Sequence, residues 1–383
     1  MRLQLIITML FISFAIFGQN PQNVEADFLY NYYEQDGNHS AVTGGIGTEE
    51  LNDNSAKLLL FVPKDSSRAM NYTFGYNQYT SASTDKIDAV VSSASKKDGR
   101  AYIAVGSIRN NFEKNQSISY GLSASVESDY FSRGATFGIS KSFNKDLTTL
   151  DFNSSIYFDK WVVILPSELR LSTVNQNLTT DKRNTFNLSA SISQLATPRL
   201  NFQIKAEMEL QKGLLSTPFH RVYFENRFLP MVEHLPNSRI RLPIGLFVNY
   251  YVLQKVIAKS YYRYYTDTYG VISQTFNGEL AIKITKSITA SPSYRFYTQL
   301  GSSYFAEYKK HQFSDEFYTS DYDLSTFQSV RIGGSLKLKP FLNLRKANKR
   351  TFYLEKIELG FYNYVRSDGL TANYGSIGLS FNY

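Results

Sequence analysis

Four histidines, His39, His220, His234 and His311, are the side chains of this sequence best suited to acid–base chemistry near neutral pH. All four fall in segments that we predict to be external loops. His220 lies in GLLSTPFHRVYF (213–224), four residues after Ser216, and Glu225 follows it by five residues. These are the residue types of a hydrolytic triad, which barrel-shaped outer-membrane hydrolases place at their outer rim. A triad is defined by geometry rather than by proximity in sequence, so we predict that the protein is not an enzyme, with a hydrolase as the alternative.

Two other groupings could in principle hold a metal ion or a nucleotide. Acidic residues cluster in one loop, at Asp315, Glu316, Asp321 and Asp323, but without the fixed spacing, glycine and bidentate glutamate of a calcium loop. The segment TGGIGTEELND (43–53) is rich in glycine but lacks the lysine and the following helix of a phosphate-binding loop. We therefore predict no metal and no cofactor. The residues of the two loop motifs are expected to shape loops: Gly44, Gly45, Gly47, Pro218, His220 and Arg221.

A further set of charged residues lies in segments of alternating polarity and projects to the polar side. These residues are Arg239, Arg241, Arg263, Arg295, Arg331, Glu207, Glu209 and Glu279. Rings or ladders of charge set the selectivity of pores. Opposed arginines and glutamates also neutralise one another inside a barrel wall, and a loop can fold in and plug the lumen. The sequence leaves both interpretations open.

The elements that would position these charges are long strands. Apolar residues recur at every second position in LNFQIKAEMELQ (200–211) and RIRLPIGLFVNYYV (239–252). Such runs exceed the usual soluble strand of about 5–6 residues and match the about 9–11 residues that cross a bilayer at a tilt. The last segment, 373–383, alternates in the same way and ends on an aromatic residue. It resembles the signal read by the bacterial barrel assembly machinery. We predict an all-β fold, a transmembrane antiparallel β-barrel closed by this C-terminal strand.

Short and long connections alternate along the chain, as expected for periplasmic turns and external loops. Pro243 and Pro292 lie inside strong strands. We predict a bulge or bend at each, because proline has no backbone N–H to donate to the neighbouring strand.

A soluble β-sandwich is the alternative fold, but it would need a second sheet and strands of ordinary length. Fourteen strands are the alternative count, because the segments 26–33 and 100–110 are the weakest. Sixteen strands are predicted, near 26–33, 51–62, 68–80, 100–110, 116–127, 132–143, 148–158, 184–193, 200–212, 238–252, 256–266, 272–285, 288–298, 328–339, 352–364 and 373–383.

The start of the chain and its composition agree with an exported barrel. Arg2, the apolar stretch 3–17 and Gly18 predict a signal peptide over 1–18, followed by a barrel domain over 19–383. The 383 residues include 29 Tyr and 28 Phe but one Trp, and tyrosine suits a membrane interface. The chain has no cysteine, which argues against disulfides and thiolate chemistry. The net charge of +8 is modest and is most simply explained by a solvated surface.

Several segments together resemble one known family. They are TGGIGTEELND (43–53), SSASKKDGR (92–100), GLLSTPFHRVYF (213–224), LPNSRIRLPIGLFVNYY (235–251), SYYRYYTDTYGV (260–271) and YRFYTQ (294–299). In combination they are similar to the outer-membrane family called domain of unknown function 3570 (DUF3570), over about 25–383. The resemblance implies a barrel without an established activity. It also implies a role in surface redox traffic, since genes of the family often lie beside those of flavin-attaching and thioredoxin-like exported proteins.

From these observations we expect an integral protein of the bacterial outer membrane. Its expected function is that of a porin-like channel, or of a docking component, for a polar solute or a periplasmic partner. A non-conducting scaffold of a surface redox complex is the alternative. The expected partners are outer-membrane lipid, the barrel assembly machinery and periplasmic or surface redox proteins, and we expect no nucleic acid.

Overall fold

The computed structural model describes residues 24–80, 97–170, 179–347 and 350–383. The predicted signal peptide over 1–18 lies outside these residues. The described chain is almost entirely extended. Its strands are β1 (Glu25–Asp36), β2 (Leu51–Pro63), β3 (Arg68–Thr80), β4 (Lys97–Asn111), β5 (Gln116–Val126), β6 (Tyr130–Phe143), β7 (Thr148–Val163), β8 (Thr179–Thr197), β9 (Leu200–Gly213), β10 (Arg221–Val222), β11 (Met231–Val232), β12 (Ser238–Leu253), β13 (Val256–Asp267), β14 (Ile272–Lys283), β15 (Ile288–Leu300), β16 (Phe327–Leu338), β17 (Leu342–Ala347), β18 (Arg350–Arg366) and β19 (Thr371–Asn382).

Sixteen of the described strands form one closed antiparallel barrel. Each wall strand pairs with the next along the chain, β9 continuing to β12 and β16 to β18. The barrel closes because β1 pairs with both β2 and β19, which places Tyr30 opposite Ala56 on one side and Ile377 on the other. The predicted barrel, its closure by the last strand and the count of sixteen are confirmed. The segments 26–33 and 100–110 are β1 and β4, full strands of the wall, so the count of fourteen is wrong.

The outer face of the barrel is apolar around its circumference. Residues directly opposite one another in paired strands share a face, and the register puts leucine, isoleucine, phenylalanine and tyrosine outward in strand after strand. Leu122 is 69% exposed, Ile332 60% and Phe361 63%. A soluble monomer rarely exposes a contiguous apolar patch larger than a few hundred Å², whereas hydrocarbon accepts such a band. The fold is that of a transmembrane β-barrel.

The helical segments of the described chain are single 3₁₀ turns, at Ala41–Thr43, Phe112–Lys114, Ser167–Leu169 and Tyr322–Leu324. None of the helices in the described ranges is long and apolar enough to cross a membrane.

The two prolines inside strands leave the strand register unchanged. Before and after Pro243, β12 keeps one register against β9, with Arg241 opposite Glu209 and Ile244 opposite Ala206. The bulge predicted at Pro243 is therefore wrong, and likewise at Pro292, where β15 keeps one register against β14, but the regular pair expected to be lost at each proline is missing on that side. The reason is that a residue donates its backbone N–H to only one neighbouring strand. Each proline pairs regularly on its other side, with Tyr265 and Gly334 respectively, and only two pairs are missing from the affected ladder.

The two ends of the barrel differ in their connections. One end has tight turns, such as 64–67, 198–199 and 254–255, and also holds residues 24 and 383, which exchange two backbone hydrogen bonds. At this end β17 pairs with the first residues of β18 and adds a seventeenth strand to the sheet. The other end has the long loops 37–50, 214–237 and 301–326. The predicted alternation of short and long connections is present in the described residues, and the long loops meet over one mouth of the barrel.

Candidate functional site

The eight charged residues predicted for the lumen lie on the inner face of the barrel, and most of them form ion pairs with wall residues. Arg241 Nη1 lies 2.5 Å from Glu209 Oε1, its cross-strand neighbour. Arg239 Nε donates to Asp267 Oδ2 over 2.9 Å. Glu207 and Glu279 pair with lysines of the same face, Lys205 Nζ at 2.6 Å and Lys259 Nζ at 2.8 Å. These contacts neutralise a large part of the charge inside the barrel.

Three inward-facing arginines of the described strands have no carboxylate partner: Arg263 on β13, Arg295 on β15 and Arg331 on β16. Arg295 and Arg331 are directly opposite one another in the β15–β16 ladder. The Nε atoms of Arg263 and Arg331, like that of the ion-paired Arg241, are buried without a hydrogen-bond partner. By contrast, the other inward arginines of the wall lie beside acids. Positive charge is therefore left uncompensated along one sector of the wall.

The lumen contains two sizeable cavities. The first, which we call the wall cavity, is about 590 Å³ and is lined by serines and asparagines of β5–β8 and by Glu209, Arg241 and Arg263. The second, which we call the cap cavity, is about 610 Å³. Its lining combines wall residues, among them Arg295, Arg331 and Tyr374, with loop residues such as His220 and Asp321. The loops therefore form the roof of a space whose remaining sides are barrel wall.

The roof is a folded unit, which we call the cap, made by loops 37–50, 214–237 and 301–326. Val222, Phe224 and Tyr318 form a small buried core with Met231 against it. Isolated bridges join Phe224 to His311 and His234 to Tyr318, which ties loop 214–237 to loop 301–326. The cap thus has its own apolar core and its own strand-like pairing.

Arg221 joins its own loop to three others. Its Nη1 donates to the carbonyl oxygen of Val42 over 2.6 Å, and its Nε and Nη2 donate to the two carboxylate oxygens of Glu168 over 2.6 and 2.9 Å. Its own carbonyl oxygen accepts from Ser320 Oγ over 2.7 Å. A bidentate arginine–carboxylate pair fixes geometry as well as charge. The buried Arg221 is accordingly a structural residue of the cap.

The glycine-rich loop supports the cap through its backbone shape. Gly44, Gly45 and Gly47 have φ of 87°, 84° and 80°, which favours glycine. A Cβ on Gly44 would lie 2.5 Å from the ring of Tyr223. The segment therefore serves close packing of loop 37–50 against loop 214–237. Pro218, also from a predicted motif, is buried in the same region.

The residues proposed for a triad are not brought together. His220 Nδ1 lies 3.3 Å from Glu233 Oε1, so the carboxylate beside the histidine is not Glu225. Glu225 Oε2 accepts from Gln312 Nε2 over 2.5 Å. Ser216 Oγ accepts from the backbone N–H of Leu235 over 2.8 Å, which places the hydroxyl in a loop contact.

Sequence reasoning missed Glu233, which binds three parts of the cap. Its Oε2 accepts from the backbone N–H of Thr217 over 2.6 Å, and its Oε1 accepts from Thr319 Oγ1 and contacts His220. The thirteen residues between His220 and Glu233 carry no spacing signal, because only the folded loop brings them together.

The titratable groups in the roof of the cap cavity have shifted pKa values. Burial raises the pKa of Glu49 to about 7, and the nearby Asp323 adds to the shift while Arg366 opposes it. Burial and the charge of Asp323 likewise raise the pKa of Asp321. Burial opposes protonation of His220, but the charge and hydrogen bond of Glu233 prevail, so the pKa of His220 is raised. The protonated forms of Glu49, Asp321 and His220 are therefore favoured.

The acids of loop 301–326 are engaged separately and do not converge on one point. Asp315 Oδ2 lies 3.1 Å from His311 Nδ1, Asp321 Oδ1 accepts from the backbone N–H of Asp323, and Asp323 Oδ1 lies 2.5 Å from Arg366 Nη1. Glu316 contributes a backbone oxygen to His234 Nδ1 at 2.8 Å. A different acidic group, Asp98, Glu127 and Asp129, converges where β4 begins and the β5–β6 turn lies. Asp98 and Glu127 are half-buried and Asp129 is buried, and two members already have partners, Glu127 with Tyr79 and Asp98 with Ser128.

Comparison with known proteins gives one family and a set of distant structural likenesses. The family described as protein of unknown function (DUF3570) matches residues 19–356. A search of curated proteins found no match. Among solved structures, a bacterial polysaccharide outer membrane secretin is 9% identical, with a TM-score of 0.49 and coverage of 94% of this chain and 98% of that one.

Two further solved structures have lower scores. The siderophore receptor PirA from Pseudomonas aeruginosa is 8% identical with a TM-score of 0.43, covering 94% of this chain and 81% of that one. The outer membrane protein OpdK from Pseudomonas aeruginosa is 6% identical with a TM-score of 0.40, covering 94% and 98%. The strand pairing of the chain itself, rather than these likenesses, establishes the barrel.

Proposed function

The chain belongs to the family described as protein of unknown function (DUF3570), and from this we propose that it is an integral protein of the bacterial outer membrane whose lumen admits a small polar solute. The observation that carries the proposal is the cap cavity, a space of about 610 Å³ between the folded cap and the barrel wall, with charged residues of both in its lining. A space of this size matches the range of about 300–1,000 Å³ that holds small ligands. The cap would restrict entry, and the wall would guide the solute.

Planar-bilayer conductance of the purified barrel tests this function. The informative variant replaces loop 214–237, which joins β9 to β12, with a short turn. We expect small conductance steps from the unaltered protein and larger steps from this variant, because removing the loop opens the roof. Replacing the turn 112–115 at the opposite end serves as the control and should leave conductance unchanged. No conductance from any of the three would contradict the proposal.

A docking role is the second candidate, and the outer surface of the cap favours it. Phe228 is 94% exposed and Phe313 79% exposed. Large apolar side chains that protrude from a folded surface are typical of protein contacts. Under this alternative the barrel is a non-conducting scaffold for an exported partner, such as the redox proteins that the family resemblance implies. Mild-detergent purification of the unaltered protein and of Phe228→Ala/Phe313→Ala should then give a partner that only the unaltered protein retains.

We propose either role without catalysis. His220 is held by Glu233, and Ser216 is bonded to the backbone of Leu235. The unaltered protein in detergent should not hydrolyse esters or phospholipids. A hydrolysis rate that His220→Ala abolishes would overturn this part of the proposal.

A further inference from the structure

We propose that Arg295 and Arg331 bind the anionic group of the solute, a carboxylate or a phosphate, in the cap cavity, with Arg263, which lines the neighbouring wall cavity across β14, as a third positive charge of the same part of the wall. This inference rests on the proposed role of the lumen and gives the chemical class of what enters it. The site is built from the wall, and the cap covers it.

The placement of the three arginines is unfavourable without an anion. Arg295 and Arg331 are directly opposite each other in adjacent strands, where Cβ atoms are about 4.5–5.5 Å apart and like charges destabilise the pair. Arg263 and Arg295 flank β14 at two nearby positions, opposite Thr275 and Asn277 respectively. Elsewhere the wall places acids beside its inward arginines, as at Arg241 and Glu209. In this sector no acid of the described residues forms an ion pair with the three arginines, so an external anion could pair with them.

The guanidinium of Arg331 is oriented by neutral groups. Nη1 donates to Tyr374 Oη over 2.7 Å, and Nη2 donates to Asn277 Oδ1 over 3.0 Å. The guanidinium carbon lies 5.1 Å from the centroid of the Tyr362 ring. These contacts fix the side chain without cancelling its charge. Binding an anion would therefore require little further ordering, which favours affinity.

One acid in the roof of the same cavity has a cationic partner, and two others accept hydrogen bonds from neutral groups. Asp323 is paired with Arg366, and Asp321 accepts from the backbone N–H of Asp323. Glu49 Oε1 accepts from Gln35 Nε2 over 3.2 Å. Arg295 forms no ion pair or hydrogen bond with the described residues, and it lines the cavity together with Arg331. Because burial raises the pKa values of Glu49 and Asp321, their neutral forms are favoured in mild acid, and the charge that remains free in the cavity is then that of the two arginines, which selects an anion.

Calorimetric titration of the detergent-solubilised protein with inorganic phosphate and, separately, with acetate tests the site directly. The two probes distinguish a preference for phosphate from one for carboxylate. We expect Arg295→Gln to weaken binding about tenfold or more, since a charge-assisted contact is worth at least one tenfold step. Arg331→Gln should act likewise. Arg109→Gln makes the same charge change on an exposed outward-facing position and should bind as the unaltered protein does.

Arg295 forms no hydrogen bond within the described residues, so we expect Arg295→Gln to fold. This variant therefore tests the site even if Arg331→Gln fails to fold. Failure of the unaltered protein to bind either anion, or equal binding by Arg295→Gln and Arg109→Gln, overturns the proposal. Reversal potentials in a potassium chloride gradient separate it from the channel function. Conductance without anion preference would refute the anion site and leave the channel function supported. Arginine-dependent binding without conductance would support the anion site and refute the channel function.

Discussion

His220 and Glu233 face each other at the roof of the lumen, with 3.3 Å between His220 Nδ1 and Glu233 Oε1. Glu233 is buried and also accepts from Thr217 and Thr319, so one carboxylate connects loop 214–237 to loop 301–326. Removing one partner of a buried charged pair leaves the other uncompensated. The stability of the cap should therefore depend on this carboxylate.

Glu233→Ala should loosen the cap without unfolding the barrel. Loss of hydrogen bonds to a buried charge costs on the order of 2–4 kcal/mol, and the cost falls on the loops. Hydrogen exchange at 214–237 and 301–326 should rise by two orders of magnitude or more, while exchange in β9 and β12 stays slow. Glu225→Ala is the matched control, because Glu225 lies in the same loop but is exposed. Equal effects of the two substitutions would contradict the role of Glu233.

The cap should be tighter in mild acid than in mild base. The folded cap raises the pKa of Glu49 to about 7 and also raises the pKa of Asp321, so ionisation of either acid destabilises the folded cap. This destabilisation grows as the pH rises from the pKa of the unfolded state to that of the folded state. His220 has a raised pKa, so its stabilising charge is present at low pH and is lost as pH rises through that pKa. All three groups act in the same direction.

Limited proteolysis of the three cap loops at about pH 5.5 and about pH 8 would measure this dependence. Cleavage should be faster at the higher pH. Glu49→Gln, which keeps the shape but cannot ionise, should reduce the difference between the two conditions. Slower cleavage at the higher pH would contradict the assigned shifts.

Gly44→Ala should disrupt the packing of loop 37–50. An alanine there would meet both a positive φ and the Tyr223 ring at 2.5 Å from its Cβ. Gly369→Ala separates the two causes, because Gly369 has a φ of 98° and a Cβ added there would have nothing within 4 Å. Backbone strain alone costs about 1–2 kcal/mol, so Gly44→Ala should lower the thermal stability of the protein by more than Gly369→Ala, whose site is the β18–β19 turn outside the cap. Equal losses would show that the ring contact is unimportant.

A disulfide between Asn31→Cys and Ser376→Cys should form and join the first strand to the last. These residues are directly opposite in the β1–β19 ladder, and about 4–5 Å between Cβ atoms suits a disulfide. The chain has no cysteine of its own to compete. The control pair, Asn31→Cys with Ser380→Cys, is offset by four residues, about 13 Å along the strand, and should not cross-link. Altered electrophoretic mobility after oxidation reports the bond. The closure of the barrel would be contradicted if the control pair cross-linked efficiently, or if neither cysteine pair cross-linked.

The wall strands could be predicted from the sequence because the alternation of apolar and polar residues is a pattern between near neighbours in the chain. Alternation in 200–211 and 239–252 reflects one lipid face and one wet face, and both segments are strands with that register. The weaker segment 26–33 is also a full strand, because closure supplies hydrogen-bonding partners for β1 on both sides. The bulges expected at Pro243 and Pro292 were wrong, because sequence does not show which neighbour loses its donor.

The site could be predicted only in part. The inward direction of Arg295 and Arg331 follows from alternation, but their position opposite each other depends on the register of two strands. The partnership of His220 with Glu233 depends on how a long loop folds back on itself. Arg221 reaches Val42 across 179 residues of sequence, and no spacing rule describes such a contact. Alternation therefore predicts which face a residue occupies but not its long-range partner.

Single-cysteine labelling along β9, in protein reconstituted into lipid vesicles, tests the membrane-spanning barrel most directly. Cysteines would replace Phe202, Ile204, Ala206 and Met208 on the outward face, and Gln203, Lys205 and Glu207 on the inward face. An environment-sensitive fluorophore should show blue-shifted emission and quenching by a lipid-borne quencher at each outward position, and neither effect at each inward position. Uniform behaviour along the strand, or a protein that stays soluble and monomeric without detergent, would contradict the account.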